Sequence, residues 1–585
     1  MEKESRSLQY RAGYRFTHSC SNSPISSTMS TQFSPARRSD TLSVQCISSL
    51  LAPGIYKLNE DILRSIFLLN AEPSNEVKEV TISTSPLTTT RHSSQVCGYW
   101  RRLILQWPFL WGRLIDLQDL QQKTDFWRNE VLRRSGDSLL CVKVNDGSGT
   151  FTEGCVRFIG LLLKEHWHRI QNIDIAINTD SMALIGEVPW DSVQQPALYL
   201  ETFIVSFMDR NTTPSNLLSP DLALFSGQAP SLREFFSRGV AMNFPAPWLS
   251  HLRRFSLSSP ITDLIGFLNA MKEMNYVEYL SLRTGLGNIH PTGPSPNLPH
   301  ITLPRLKELI VANDIGTCLT LVECIAPPSG SVLSSLAIDA FQYDLTTKIW
   351  QQLLPSMSNY FHNYFNSRQA RQLSVNVSNI ALYLRCFKYL DDIEESKPYV
   401  TINIWCPDLL QPTIIPDVLA IFSAHNFSNV TSLQLIGNPS AFDPTNAHII
   451  RFIASLPSLT ILRSQTIMLQ RLTKLPEDAP VAFPALRSVH LEQPGSYGVT
   501  PSTSFNDVKS FLEWRIDRGH PIHEFRLPDD YWFKKSSEDE KTFGFLEKLP
   551  NFKVTLMSWP ELREYICGQG PTKEFGTGKL CHHLV

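Results

Sequence analysis

Few residues in this chain have the type and spacing that covalent chemistry or metal binding would require. His166 and His168 flank Trp167, and His582 adjoins His583. Imidazoles hold zinc when cysteines or carboxylates complete a tetrahedral set, and neither pair comes with such ligands at a recognised spacing. Asp391-Asp-Ile-Glu-Glu395 is a contiguous acidic run. Acid–base catalysis needs carboxylates in contrasting environments, so this run reads as a solvated turn. Gly285-Leu-Gly287 lacks the third glycine of a dinucleotide fingerprint and sits among prolines. The chain contains neither a Gly-Lys-Ser/Thr phosphate loop nor a Gly-x-Ser-x-Gly nucleophile elbow. The expectation is therefore a protein that is not an enzyme, with no catalytic residues, no metal and no cofactor.

The composition narrows the class further. The chain has 585 residues, too many for one core of ordinary size, so an elongated or multidomain architecture is expected. With 42% hydrophobic and 18% charged residues it should fold rather than stay disordered. A formal net charge of -2, with bases and acids interspersed, gives no electrostatic case for nucleic acid or an anionic membrane. No stretch approaches the roughly 18 apolar residues of a membrane span. The eleven cysteines are scattered without a Cys-x-x-Cys pair, and only Cys318 and Cys324 stand close together. Free, mostly buried thiols in a reducing compartment are the expectation.

What organises most of the chain is a returning phrase: apolar, two polar, apolar, one polar, apolar, often introduced by Pro-x-Leu. It occurs as Pro230-Ser-Leu-Arg-Glu-Phe235, Leu252-Arg-Arg-Phe-Ser-Leu257 and Val277-Glu-Tyr-Leu-Ser-Leu282. It returns in Leu303–Val311, Val332–Ile338, Leu373–Val377, Val430–Leu435 and Leu456–Ile461. Phe483–Leu491, Ile522–Leu527 and Phe552–Leu556 close the series. Equivalent positions Val430, Leu459 and Leu486 are 29 and 27 residues apart, and elsewhere the spacing runs from roughly 20 to 40. Each phrase predicts a short strand with alternate residues inward, followed by a helical or irregular return such as Val508, Phe511 and Leu512. Upstream, Phe126–Arg134 and Phe151–His168 read as helices. Leu139–Val144 and Ile170–Ile177 read as strands.

The segment before this series has a different pattern. Leu58, Ile62, Leu63, Ile66 and Phe67 fall at helical spacing, with Asn59 placed to cap and Glu60 and Asp61 in the first turn. After a polar run from Ala71 to about Thr90, Val96, Trp100, Leu103 and Ile104 repeat the period until Trp107-Pro108 stops it. Two short amphipathic helices require a partner or a neighbouring domain to cover them.

This segment resembles the F-box. The matches are Leu58, Glu60 or Asp61, Ile62, Leu63, Ile66 and Phe67, then Val96, Cys97, Trp100, Arg101, Leu110 and Trp111. The Trp-Pro-x-Leu-Trp ending is similar to that of the F-box families of mushroom-forming fungi. Asn59 stands where the family has proline, and the polar run is a wider insertion than usual. The later phrases resemble degenerate leucine-rich repeats.

Together the resemblances imply an α/β fold: a short all-α F-box, then a curved leucine-rich-repeat-like solenoid of strand and helix units. The expected domains are a disordered leader (1–50), the F-box-like segment (51–115, with a loop insertion at about 71–90), the repeats (116–560) and a terminal cap or tail (561–585). They further imply a non-catalytic substrate receptor of a cullin-type ubiquitin ligase in the cytoplasm or nucleus. A Skp-family adaptor, and through it a cullin scaffold, would dock on Leu58, Ile62, Leu63, Ile66, Phe67, Val96, Cys97, Trp100, Leu103 and Trp111. A protein substrate of unknown identity would touch strand positions such as Arg254, Glu278, Arg305, Lys307, Gln434 and Arg487. The alternative is a repeat scaffold that binds a protein without joining a ligase.

Overall fold

An apolar residue buried at the entry to a strand, with two more at alternate strand positions, leaves one side chain of every unit facing outward. Ile461 and Leu491 stay half-buried, but most of the eleven phrases fold this way in a computed structural model of the chain. It describes residues 58–71, 85–145, 152–177, 188–207, 223–283 apart from 241, 245, 260 and 262, and 298–326. Also described are 333–341, parts of 350–361, 370–387 apart from 379, 398–406, 414–492 apart from 426, 505–528, 545–558 and 561–568. The first apolar position is buried in unit after unit, as at Leu232, Leu252, Val277, Val430, Leu459 and Leu486. The second is equally buried, as at Phe235, Phe255, Leu280, Leu433, Leu462 and Val489. Three of these, Phe203 from a strand that no phrase marked, Phe235 and Phe255, stack at 5.3 and 5.7 Å between ring centroids.

The architecture is α/β, built around one 18-stranded sheet that is mostly parallel. The first eight strands, from Ile115–Asp116 through Ile170–Ile177 and Arg254–Leu257 to Glu308–Asn313, pair in parallel, each with the next in the sheet. Ser335–Phe341 follows, and then the sequence order inverts. Val400–Trp405 lies beside Ser335–Phe341, Ala381–Phe387 next, and Gln372–Val377 after it. Both internal contacts of this meander are antiparallel, so the two reversals cancel and Ser432–Gly437 joins Gln372–Val377 in parallel. Gly437 ends that strand at φ 142°, and a Cβ there would collide with the Val377 carbonyl, so the position demands glycine. Parallel pairing continues to Lys553–Ser558, and Glu561–Ile566 closes the order antiparallel to it.

Four expectations need correction. The polar run to Thr90 is not all loop, because Pro86–Val96 is a helix capped by Ser85, whose hydroxyl accepts from the Thr88 N–H. Val96 therefore does not share a helix with Trp100. Cys97 breaks the chain with extended backbone, and its sulfur accepts the Trp100 N–H at 3.4 Å to cap a new helix, Gly98–Leu105. The first strand, Ile115–Asp116, straddles the expected boundary between helical segment and repeats. The start of the expected tail, Glu561–Ile566, is a strand of the sheet. The leader, residues 72–84 of the insertion, Gly285–Gly287, Asp391–Glu395 and the His582-His583 pair lie outside the described residues.

The helix Phe505–Asp517 packs on Thr466–Thr473 and carries Arg515, fully buried and, among the described residues, without a carboxylate partner. Its guanidinium donates to the carbonyls of Ala482 (2.5 Å), Phe483 (3.3 Å) and His520 (2.9 Å), pinning a turn in which Phe483 has φ 52°. Burial lowers its pKa to about 10. Arg515→Met strands three carbonyls and should destabilise the chain by about 3 kcal/mol. Glu513→Gln on the exposed face should change stability by less than about 0.5 kcal/mol. Denaturant midpoints of the two variants check this.

Candidate functional site

The helix Glu60–Ala71 starts as its sequence requires. The Asn59 carbonyl accepts from the Ile62 and Leu63 N–H groups, and its side chain accepts from the Asp61 N–H at 3.4 Å. Its apolar residues then divide between two faces. Leu63 and Phe67 are buried at 1% and 2% exposure, whereas Ile62, Ile66 and Leu69 are 49%, 36% and 69% exposed. Phe67 packs edge-on against Trp100 at 5.1 Å. Trp111 is buried, donating its indole N–H to the Ile104 carbonyl at 2.8 Å beneath the Arg134 guanidinium. Of the ten expected adaptor contacts, Leu63, Phe67, Trp100 and Trp111 thus brace the chain. Ile62, Ile66 and Val96 present apolar surface, and Leu58, Cys97 and Leu103 are half-exposed.

The second candidate surface is the outward face of the sheet. Strand registers thread one continuous row, one residue per strand. It begins Asp116, Lys143, Asp174, Ile204, Phe236, Ser256, Ser281, Ile310 and Ala337. It continues Thr401, Arg385, Ser374, Gln434, Arg463, His490, Arg526, Thr555 and Glu564. These fill the phrase's single polar position between two inward residues. Three zones follow: acid–base–acid at the start, apolar and small residues in the middle, and polar to cationic residues thereafter until Glu564 closes the row. Burial raises the carboxyl pKa values of Asp116 and Asp174, with Lys143 between them opposing that shift.

A recess of about 200 Å³ opens in the middle zone. Phe236 is large and Ser256 beside it is small, so the row steps down by most of a side chain. Ile204 and Phe236 form its apolar wall, and Glu234, Arg254 and Tyr279 form its rim. The Arg254 guanidinium lies 4.6 Å from the Tyr279 ring centre and 3.7 Å from Glu234. A larger recess, about 240 Å³, is lined by Leu224, Ser226, Phe244 and Trp248 among others, with no charged group among the described residues that line it.

The expected substrate contacts scatter around this recess. Only Arg254 lines it. Glu278 and Lys307 pair with each other at 2.5 Å, which lowers the Glu278 pKa, and Arg305 covers Tyr276. Gln434 sits in the row further along, accepting from the Ser374 hydroxyl at 2.7 Å, and Arg487 is exposed at a strand entry. Sequence reasoning missed Ile204, Phe236, Ser256 and Tyr279. The available signal was Phe236 itself, an aromatic where the phrase calls for a polar residue.

Elsewhere the structure finds bland roles for reactive residues. His166 is bonded to Arg169 at 3.4 Å, and burial lowers its pKa. Burial pushes the thiol pKa of Cys324 up to about 11 and raises those of Cys318 and Cys386. Among the described residues no group of three His, Cys, Asp or Glu side chains could hold a metal ion, and no helix is long and apolar enough to cross a membrane. No protein-family model matches the chain, and no curated protein matches it significantly.

His490 lies in the row between Arg463 and Arg526. Burial, reinforced by the two guanidiniums, lowers its pKa from 6.5 to about 3. It stays neutral when folded but takes a proton on unfolding below pH 6.5, so its contribution is complete above that pH and drains away towards pH 3. At pH 5 the penalty is about 2 kcal/mol. His490→Gln should therefore lose less stability than the natural chain between pH 7 and pH 5, as measured by urea unfolding at both.

Proposed function

We propose that this chain is the substrate-receptor subunit of a cullin-type ubiquitin ligase. It docks on a Skp-family adaptor through the helical segment and holds a protein substrate on the sheet's outward row. The observation that carries the reading is apolar surface left exposed on Glu60–Ala71. Ile66 and Leu69 are exposed on a helix whose other side already packs through Phe67, in the stretch that resembles the F-box. An amphipathic helix with apolar residues on both sides has one surface more than its own fold consumes. In this role the chain performs no covalent step. It supplies proximity and orientation between the substrate and a charged ubiquitin-conjugating enzyme. The repeated strand–return units behave as a leucine-rich-repeat-like solenoid, in which each unit presents one outward residue to the partner.

A second reading has its own support: a protein-binding scaffold that joins no ligase. Leu63, Phe67, Trp100 and Trp111, all expected to face an adaptor, are buried within the chain.

Co-expression with a fungal Skp adaptor followed by gel filtration separates the two. A one-to-one complex is expected, weakened at least about 100-fold by Ile66→Asp combined with Leu69→Asp. Those side chains are exposed, so thermal stability should stay near that of the natural chain. Trp100→Ala, by contrast, should lower stability by about 3 kcal/mol through loss of the Phe67 contact. A folded natural chain that elutes without the adaptor would sink the ligase reading.

A further inference from the structure

From Thr401 to Arg526 the outward row passes through Arg385, Ser374, Gln434, Arg463 and His490 and meets no carboxylate. Two residues nearer the strand entries, Gln372, Ser432, Ile461 and Ser488 align without one. Two residues nearer the exits, Tyr383, Asn376 and Ile436 do the same. The carboxylates that bound this area are Asp339, Glu492 and Glu524. The Asn403 amide donates to Asp339, and Glu524 already holds Arg526 at 3.0 Å. Arg385 is exposed and makes no ion pair among the described residues. Burial, and after it Arg526 and Arg463, lower the pKa of His490 with Glu524 alone in opposition, so the potential along this part of the row is positive. Between the cations, the Ser374 hydroxyl donates to the Gln434 carbonyl oxygen at 2.7 Å, which leaves the Gln434 amide NH2 as a donor.

We propose that this part of the row receives an acidic stretch of a partner polypeptide in extended form, one carboxylate on Arg385 and a second, four residues on, beside Arg463. Three strand steps separate Arg385 from Arg463, roughly 14 Å at the usual strand spacing. An extended chain lying across the strands covers roughly 13 Å in four residues and turns the first and fifth side chains to the same face. The third residue then lies over Ser374 and Gln434, where a polar group can take the amide donor. The arginines are strung along the row rather than gathered at one point. That arrangement matches one guanidinium fork to one carboxylate, whereas a phosphate dianion draws several cations together. A nucleic-acid strand needs a continuous basic track, and Glu524 and Glu564 interrupt this one. Pairs that stay partly solvated fix how the partner lies along the row more than how tightly it is held. The proposal rests on the sheet's outward row being the protein-binding surface, and deepens it by naming the chemistry of the segment held there.

The test titrates the full chain into fluorescein-labelled Gly-Glu-Gly-Ser-Gly-Glu-Gly and follows anisotropy at low and at physiological salt. Its counterparts carry glutamine for both glutamates, the two glutamates side by side, or a single phosphoserine among neutral residues, and a thymidine oligonucleotide completes the set. The spaced glutamate peptide should bind, more weakly as salt rises, and the glutamine peptide not detectably. The adjacent-glutamate and phosphoserine peptides should bind about threefold more weakly. Arg385→Gln should weaken the spaced peptide about fivefold, whereas Lys123→Gln, which removes the same charge from an exposed site ahead of Phe126–Ser135, should leave it unchanged. Arg385→Glu should abolish binding and accept instead one of the two peptides in which lysine replaces a single glutamate. Arg385 is exposed, so thermal midpoints should stay near that of the natural chain. Equal binding of the glutamate and glutamine peptides overturns the proposal, as does equal loss in Arg385→Gln and Lys123→Gln. Tighter binding of the phosphoserine peptide or of the oligonucleotide overturns it too. Adaptor capture is scored on the helical segment. A chain that captures the adaptor and ignores the glutamate peptide refutes the acidic occupant alone, and the reverse result refutes the ligase reading alone.

Discussion

The interaction on which the rest depends is a main-chain ladder at the strand entries. The Arg253 N–H donates to the Arg233 carbonyl, Glu278 to Arg253, and Lys307 to Glu278, each at 2.8 Å. Past the meander it resumes, with Thr460 donating to Thr431, Arg487 to Thr460, His523 to Arg487 and Lys553 to His523, at 2.8 to 3.0 Å. The bonds hold adjacent units in register before the first strand residue, and register decides which side chains face out. A slip of one residue in any unit would send its outward residue into the core and an inward leucine or phenylalanine into water. Buried entry residues such as Leu252, Val277 and Leu459 fix the turn that presents each N–H, so ladder and core enforce each other.

A sheet assembled this way must deal with reversals and edges. The meander inverts the order of three strands yet preserves the direction of the sheet, because it contains two antiparallel contacts. At the far end Glu561–Ile566 pairs antiparallel with Lys553–Ser558, and Lys553 meets Glu564 at 2.6 Å. Charged residues on a short closing strand are a common way of discouraging pairing with another chain.

The α/β class and all eleven phrase strands were legible because periodicity and burial coincide there. The apolar positions of Val430–Leu435 or Ile522–Leu527 are the residues the ladder buries. Thr202–Phe207 and Val400–Trp405 were missed, although Val400-Thr-Ile-Asn-Ile alternates cleanly; neither carries the two-polar, one-polar spacing of the phrase with polar residues between its apolar positions. The inverted meander could not be read at all, because strand order depends on pairing between residues some 60 apart, such as Ser374 and Gln434. In the helical segment the period was visible, but its division between faces was not. Leu63 and Ile62 are equally apolar, and only packing decides that one is buried and the other exposed.

On the proposed reading, the row's composition would concentrate recognition in its middle zone. At the start, Asp116, Lys143 and Asp174 lie side by side in alternating charge, so a partner there must displace charges already balanced. Beyond Gln434, Arg463 and Arg526 are cationic, but Glu524 holds Arg526 at 3.0 Å and also lies 3.9 Å from Lys553. Ion pairs of this kind, partly solvated, steer an encounter more than they add to its affinity. Between these zones the row changes from Phe236 to Ser256 within one strand spacing, roughly 4.8 Å. That step creates concavity and an apolar wall at one place. Affinity is gained where a partner side chain is fully desolvated against a fixed surface, and the charged zones then set its orientation.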